Sequence, residues 1–260
     1  MENKALDQVA KTLHEARVQS HAVTQLSKQG LVLTRPEAYQ VQEAGMALRE
    51  QSGEKRIGLK MGLTSEGKRK QMNLDSPLYG ELTDKMQVAE KLNIAKLIHS
   101  KIEPEVAFLI SKDLEGIVTR EQVFNSTSAV CSCLEILDSR YEQFKYFSME
   151  DVIADNSSSS HFVLGPWLKD FSALDLKNLK MKMFVDENLV HEALSSEISG
   201  DPVISVVELC RLLSLRGRKL LAGTVVLAGA ATAAVELKPG QQVLLEVDGL
   251  PPVKIGIVNV

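Results

Sequence analysis

The chain has 260 residues, of which 44% are apolar and 25% charged, and its formal net charge is −4. These values are typical of a globular protein with a real core, and they exclude the basic stripe of a nucleic-acid-binding protein and the long apolar run of a membrane-spanning one. Three cysteines without a predicted secretory leader favour reduced thiols, so we expect a cytoplasmic protein with no membrane partner.

The first fifty residues have the composition of helices. Residues 3–27 carry apolar side chains at helical spacing. Thr34 and Glu37 have the spacing of a capping box at the start of a second helix, which is predicted to stop at Gly53. The sequence therefore predicts a helical cap at the N-terminal end.

From residue 56 onward the pattern changes to short strands, tight turns and one amphipathic helix over residues 203–215. The predicted strands cover residues 56–60, 101–110, 133–137, 181–185, 189–194, 224–227, 243–247 and 253–258. This pattern is typical of an α+β, β-rich protein with a rolled mixed β-sheet or barrel-like core. We expect residues 1–75 to form the N-terminal helical cap region and residues 76–260 to form the catalytic domain.

Three glutamates lie in predicted strands and form a candidate metal site. Glu103 and Glu105 are two residues apart, so on a strand both point to one face at a spacing of about 7 Å. Glu135 lies within the apolar run Cys-Leu-Glu-Ile-Leu, where an unpaired carboxylate would cost several kcal/mol. A divalent cation would neutralise such a cluster, and oxygen ligands favour Mg²⁺ or Mn²⁺. The alternative is that Glu103 and Glu105 line a solvated face of an edge strand.

Three further features leave both a functional and a structural interpretation open. Lys60 interrupts an apolar stretch and either faces an anionic substrate or extends its ammonium to solvent. The polar run at residues 155–160 is either a carboxylate-binding loop or a flexible connection. The small residues at 229–234 either let a substrate approach the backbone or only permit close packing.

Four segments, in order along the chain, resemble the fumarylacetoacetate hydrolase superfamily. They are Gly-Leu-Lys-Met-Gly-Leu-Thr-Ser (58–65), Ile-Glu-Pro-Glu-Val (102–106), Leu-Glu-Ile-Leu-Asp-Ser-Arg-Tyr (134–141) and Ala-Asp-Asn-Ser-Ser (154–158). The similarity extends over nearly the whole chain and is strongest to the branch of 2-oxopent-4-enoate hydratases and 4-oxalocrotonate decarboxylases. Residues 59–65 and 77–80 are more similar to the decarboxylases of that branch.

The resemblance implies that the three glutamates hold Mg²⁺ or Mn²⁺ and that other family site residues have counterparts here. It implies catalytic roles for Lys60, Asp155 and Ser158, and substrate contacts from Lys60, Leu63, Ser158 and Thr232. Two positions depart from the family pattern. Ser157 stands where alanine is usual, and Asp201 stands where a histidine is common, which puts any role of that histidine in doubt here.

The reaction implied by the resemblance is the metal-dependent decarboxylation of 2-oxohex-3-enedioate, a small 2-oxo dicarboxylic acid of catechol meta-cleavage. The products would be 2-hydroxypenta-2,4-dienoate and CO₂. Hydration of 2-oxopent-4-enoate is the alternative within the same branch. An alternative of another class is a non-catalytic partner that stabilises a hydratase. Family habit further implies a homo-oligomer and a complex with a 2-oxopent-4-enoate hydratase.

Overall fold

The computed structural model describes residues 3–65, 69, 76–144 and 148–260. Its α-helices are α1 (Asn3–Gln19), α2 (Arg35–Gln51), α3 (Arg120–Asn125), α4 (Met149–Ala154) and α5 (Pro202–Ser214). Its strands are β1 (Arg56–Gly62), β2 (Leu78–Thr83), β3 (Lys91–Asn93), β4 (Lys101–Ile110), β5 (Thr127–Leu137), β6 (Ser159–Leu164), β7 (Lys180–Val185), β8 (Asn188–Leu194), β9 (Val225–Leu227), β10 (Val235–Glu236), β11 (Gln242–Val247) and β12 (Leu250–Val258). Among these helices, none has the length and apolar character needed to cross a bilayer.

The two N-terminal helices pack on each other and on the sheet. The predicted capping box is present, since the Thr34 backbone N–H donates to the Glu37 carboxylate at 2.8 Å and the Thr34 side chain accepts from the Glu37 N–H. The first helix ends at Gln19 rather than at residue 27. From α2, the buried amide of Gln42 donates to the carbonyls of Tyr79 and Ile153, which fastens this helix to β2 and α4.

Seven strands form the main sheet, in the order β2-β1-β9-β4-β5-β6 with β10 beside β4. The sheet is mixed, because β1 runs parallel to β9 while the other pairs are antiparallel. Its two ends come together, since a Cβ added to Gly80 of β2 would lie 2.6 Å from Oγ of Ser159 in β6. The Val88 N–H also donates to the Phe162 carbonyl at 3.0 Å. The sheet is therefore rolled, and the predicted α+β, β-rich class is confirmed.

A second sheet of five strands, in the order β3-β12-β11-β7-β8, packs against the rolled sheet. The hydroxyl of Ser132 in β5 donates to the Pro251 carbonyl in β12 at 2.6 Å, which links the two layers. The predicted hairpin between β7 and β8 is present. Asp186 and Glu187 both have positive φ at its turn, the conformation that two-residue hairpin loops favour.

The differences from the predicted strands lie in polar or short segments. β5 begins at Thr127 rather than at residue 133, and β2, β3, β6 and β10 were not predicted. β6 opens with Ser-Ser-His, a run of weak strand propensity that pairing with β5 overrides. β1 falls within the predicted cap, yet it pairs with β2 and β9 inside the main sheet. The division into residues 1–75 and 76–260 stays a prediction, and residue 75 lies outside the described residues.

Candidate metal centre

β4 and β5 bring the three glutamates together. Glu103 and Glu135 are directly opposite each other in the antiparallel register, and Glu105 follows on the same face of β4. One carboxylate oxygen from each residue lies within 4.8 Å of the other two. Glu105 and Glu135 are fully buried, and Glu103 is partly exposed. The edge-strand alternative is wrong, because β4 is an interior strand between β9 and β5.

The cluster has the chemistry of a site for a hard cation. Within the described part of the chain, Oε1 of Glu105 and Oε1 of Glu135 are buried and have no hydrogen-bond partner. Burial raises the pKa of Glu105 well above its usual value, and the charges of Glu135 and Glu103 raise it further. Three crowded carboxylates, of which Glu105 and Glu135 have an unsatisfied oxygen, fit Mg²⁺ or Mn²⁺, which bind oxygen ligands and compensate such charge.

Lys60 of β1 supplies a positive charge beside this cluster. Its Nζ lies 3.0 Å from Oε2 of Glu135 and 3.4 Å from the Ser157 carbonyl. Burial by itself would lower the pKa of Lys60, but the charges of the three glutamates outweigh it and raise the pKa. The side chain is buried, so the alternative in which its ammonium extends to solvent is wrong.

The backbone at Gly229 completes one side of the cluster. Its N–H donates to Oε2 of Glu105 at 2.7 Å. Gly229 has a φ of +108°, and a Cβ there would lie 2.4 Å from Cγ2 of Thr64. Only glycine permits this close approach. The small residues that begin at 229 thus allow the main chain to reach a buried carboxylate.

A cavity of about 380 Å³ opens over the cluster. Four of the residues predicted for the site line it, namely Lys60, Leu63, Glu103 and Thr232. Other lining residues come from the same elements and from the loops around them: Met61, Gly62, Thr64, Ser65, Leu78, Lys101, Leu137, Phe144, Val152, Ser157, Ala230, Ala233 and Ala234.

Asp155 and Ser158 lie behind this cavity rather than on its wall. Asp155 is buried and forms an ion pair with Arg140, whose backbone N–H also donates to its carboxylate at 3.1 Å. Burial raises the pKa of Asp155 to about 6, although Arg140 opposes the shift. Ser158 is buried, and its N–H donates to the Asp155 carbonyl at 2.9 Å. The catalytic roles of both residues stay predictions.

The turn at residues 156–158 explains this placement. All three residues have φ between +48° and +56°, so they form a tight turn with left-handed φ values ahead of β6. This sharp turn places Ser157 on the cavity wall. Its Oγ lies 2.8 Å from where a Cβ of Gly62 would be, so the departure from the family's alanine sits against β1.

The second departure, Asp201, has a structural role. It is the N-cap of α5 and accepts from the Val203 N–H at 2.8 Å. Its carboxylate also pairs with Arg120 at 2.7 Å. Asp201 is not among the residues that line the cavity. It therefore holds the start of a buried helix.

The chain is similar in sequence to a known enzyme family and to individual enzymes of that family. The sequence model described as "Fumarylacetoacetate (FAA) hydrolase C-terminal" matches residues 83–258. The chain is 42% identical to a 4-oxalocrotonate decarboxylase of Pseudomonas sp. over 94% of this chain and 95% of that protein. It is 34% identical to a 2-hydroxyhexa-2,4-dienoate hydratase of Comamonas testosteroni, with 92% of each covered.

A solved structure is also similar over its full length. It is a 4-oxalocrotonate decarboxylase from Pseudomonas putida G7, complexed with magnesium and adipate. The TM-score is 0.95 at 32% identity, and 99% of each chain is covered. The rolled sheet with its N-terminal helices is thus the fold of that protein.

Proposed function

The chain belongs to the fumarylacetoacetate hydrolase family of enzymes, and we propose that within this family it is a metal-dependent decarboxylase of 2-oxohex-3-enedioate. The proposed products are 2-hydroxypenta-2,4-dienoate and CO₂. The proposed metal is Mg²⁺ or Mn²⁺, held by Glu103, Glu105 and Glu135. The observation that carries the proposal is the set of three carboxylates within 4.8 Å of one another, beside a buried lysine.

The reaction needs an acceptor for two electrons at the C2 carbonyl oxygen. When the C5–C6 bond breaks, its electron pair forms the C4–C5 double bond and C6 leaves as CO₂. The C3–C4 double bond moves to C2–C3, and the carbonyl oxygen takes up the displaced pair and then one proton. A bound divalent cation supplies Lewis acidity that stabilises this negative charge.

The residues of the chain would contribute position and charge. Glu103, Glu105 and Glu135 would hold the cation at the inner end of the cavity. The ammonium of Lys60 stands next to Glu135 and would add fixed positive charge where the electron pair arrives. Leu63 and Thr232 line the cavity and would contact the carbon chain of the substrate.

A hydratase acting on 2-oxopent-4-enoate is the second candidate. The hydratase relative from Comamonas testosteroni supports it, because it matches 92% of this chain at 34% identity. The same carboxylates and lysine would serve that reaction, in which water adds to the dienoate after a proton transfer. Residues 59–65 and 77–80 favour the decarboxylase.

The test is a turnover assay of the full chain with each acid, in Mg²⁺ and after chelation. CO₂ release and hydration are measured separately. We expect Mg²⁺-dependent CO₂ release from 2-oxohex-3-enedioate, with hydration of 2-oxopent-4-enoate slower. Fast hydration without CO₂ release would establish the second candidate.

The proposed partners have their own test. A homo-oligomer and a complex with a 2-oxopent-4-enoate hydratase are proposals from family habit, and light scattering of the chain with and without such a hydratase tests both. A chain that binds the hydratase but turns over neither acid would be its non-catalytic stabilising partner.

A further inference from the structure

A second lysine stands at the cavity, on the same strand face as the metal-binding glutamates. Lys101 precedes Glu103 by two residues on β4, and the two therefore point to the same side of the sheet. Lys101 lines the cavity together with Lys60 and Glu103. It is partly exposed, whereas Lys60 is buried. The two lysines thus mark an outer and an inner position along one cavity.

The surroundings of Lys101 leave its charge available. Its Nζ lies 4.4 Å from the centre of the Phe144 ring, a contact that orients an ammonium without neutralising it. Glu236 of β10 is its register partner, yet no ion pair joins the two. In the ranges that the structure covers, no carboxylate forms a salt bridge with Lys101.

We propose that Lys101 binds the distal carboxylate of a six-carbon dicarboxylic acid whose 2-oxo acid end lies at the three glutamates. This inference rests on the proposed function. The spacing is suitable, because residues two apart on a strand are separated by about 7 Å. The five carbon–carbon bonds between the end carbons of such an acid span about 6 Å when extended, at about 1.5 Å per bond.

This contact would select the substrate. The hydratase substrate, 2-oxopent-4-enoate, has one carboxylate and gives Lys101 nothing to bind. The decarboxylase substrate has two, and its second carboxylate becomes neutral CO₂. The attraction between the Lys101 ammonium and that carboxylate is therefore strongest before the C5–C6 bond breaks. It tightens binding of the dicarboxylate but does not speed the chemical step.

The first experiment is calorimetric binding to the Mg²⁺-loaded protein, with adipate as the dicarboxylate and hexanoate as the matched monocarboxylate. We expect Lys101→Met to weaken adipate binding by about fivefold, the upper end of the effect of one partly exposed ion pair. Lys101→Arg should restore most of it, and hexanoate binding should change less than about twofold. Glu236→Gln, which alters the neighbouring charge, should not weaken adipate binding.

The second experiment is steady-state kinetics on 2-oxohex-3-enedioate, where Lys101→Met should raise KM with kcat unchanged or higher. Any of three results for Lys101→Met would overturn the inference. They are unchanged adipate binding, equal weakening of adipate and hexanoate binding, and a loss of activity confined to kcat. The proposed function fails separately, if the wild-type protein releases no CO₂. The adipate and hexanoate comparison still decides the role of Lys101 in that event.

Discussion

The ammonium of Lys60 lies 3.0 Å from Oε2 of Glu135, and both side chains are removed from solvent. Glu105 and Glu103 stand beside this pair. Lys60 compensates the charge of Glu135, and the buried carboxylate of Glu105, whose Oε1 has no hydrogen-bond partner, still needs a counter-charge when it is ionised. A divalent cation would complete the balance, and the buried pair and the metal site are thus one electrostatic unit.

Replacement of Lys60 by methionine keeps the aliphatic stem and removes the charge. Loss of one partner of a buried ion pair should destabilise the metal-free protein by about 3 kcal/mol. We expect kcat to fall at least about 100-fold, since a positioned charge or proton donor at the reacting oxygen is lost. Thermal unfolding in EDTA and turnover in Mg²⁺ measure the two effects. Lys112→Met, at an exposed position, is the control. A kcat equal to that of the wild type in Lys60→Met would exclude a catalytic role of Lys60.

Substitution of Glu105 or Glu135 by alanine should remove most activity, because each would supply one of the three proposed metal ligands. It should also abolish the stabilisation by Mg²⁺. In the wild-type protein this stabilisation should be about 2.7 kcal/mol when the free Mg²⁺ concentration is 100 times the Kd. Thermal shift with and without Mg²⁺ reads this out independently of turnover. Glu246→Ala, on the exposed face of β11, is the control. Near-normal turnover in either variant would rule out that glutamate as a ligand.

Gly229→Ala tests the close approach of the backbone to Glu105. The added Cβ would clash with Thr64, so the N–H could not keep its 2.7 Å bond to the carboxylate. We expect a loss of about 2–3 kcal/mol in the free energy of unfolding, from strain and steric overlap together, and weaker Mg²⁺ binding. Gly240 also has positive φ but open space around it, so Gly240→Ala should retain Mg²⁺ affinity. Equal Mg²⁺ affinity in both variants would refute this prediction.

Asp201→Ala should lower stability without lowering turnover. The carboxylate caps α5 and pairs with Arg120, and loss of an N-cap costs about 1–2 kcal/mol. Asp201→Asn keeps the capping oxygen and should recover most of the loss. Urea unfolding and kcat are measured for both. A fall in kcat at full stability would instead assign Asp201 a part in catalysis.

We expect His161 to make the stability of the fold decrease on the acid side of neutrality. Burial lowers its pKa to about 4, and the charges of Arg49 and Arg17 act in the same direction. The unfolded chain binds this proton below about pH 6.5 while the fold does not, so stability is lost as pH falls from 6.5 toward 4. We expect a contribution of about 3 kcal/mol by pH 4.

The measurement is urea unfolding of wild type and His161→Gln from pH 4 to 8, both in EDTA. The variant should lose less stability than wild type between pH 6.5 and 4, and the difference between the two proteins should be constant above pH 7. Parallel losses over the whole acid range would contradict the assignment.

The local geometry of the site could be predicted from the sequence. Alternation along a strand places Glu103 and Glu105 on one face, and the bounds of that strand agree with β4. The position of Glu135 opposite Glu103 could not be predicted in this way. It depends on the register between β4 and β5, which is set by pairing of residues far apart in sequence.

The loop residues show a second limit. Positive φ at serine is uncommon, so nothing in the run at 155–160 indicates that Ser157 would line the cavity while Ser158 would not. Asp155 belongs to the segment at 154–158 that resembles the family, but in the structure it forms an ion pair with Arg140 instead of lining the cavity. Lys101 was missed although its spacing from Glu103 is that of Glu103 from Glu105, because lysine before an apolar strand is usually a solvated residue.

The residues of the candidate metal centre lie on β1, β4, β5 and the segment at Gly229. The bond from Gly229 to Glu105 joins positions 124 residues apart, and that from Lys60 to Ser157 joins positions 97 apart. Contacts of such separation form late, since long loops must close first. A refolding chain should therefore acquire its local hairpins before it can chelate a cation, and recovery of metal binding would time the final step of folding.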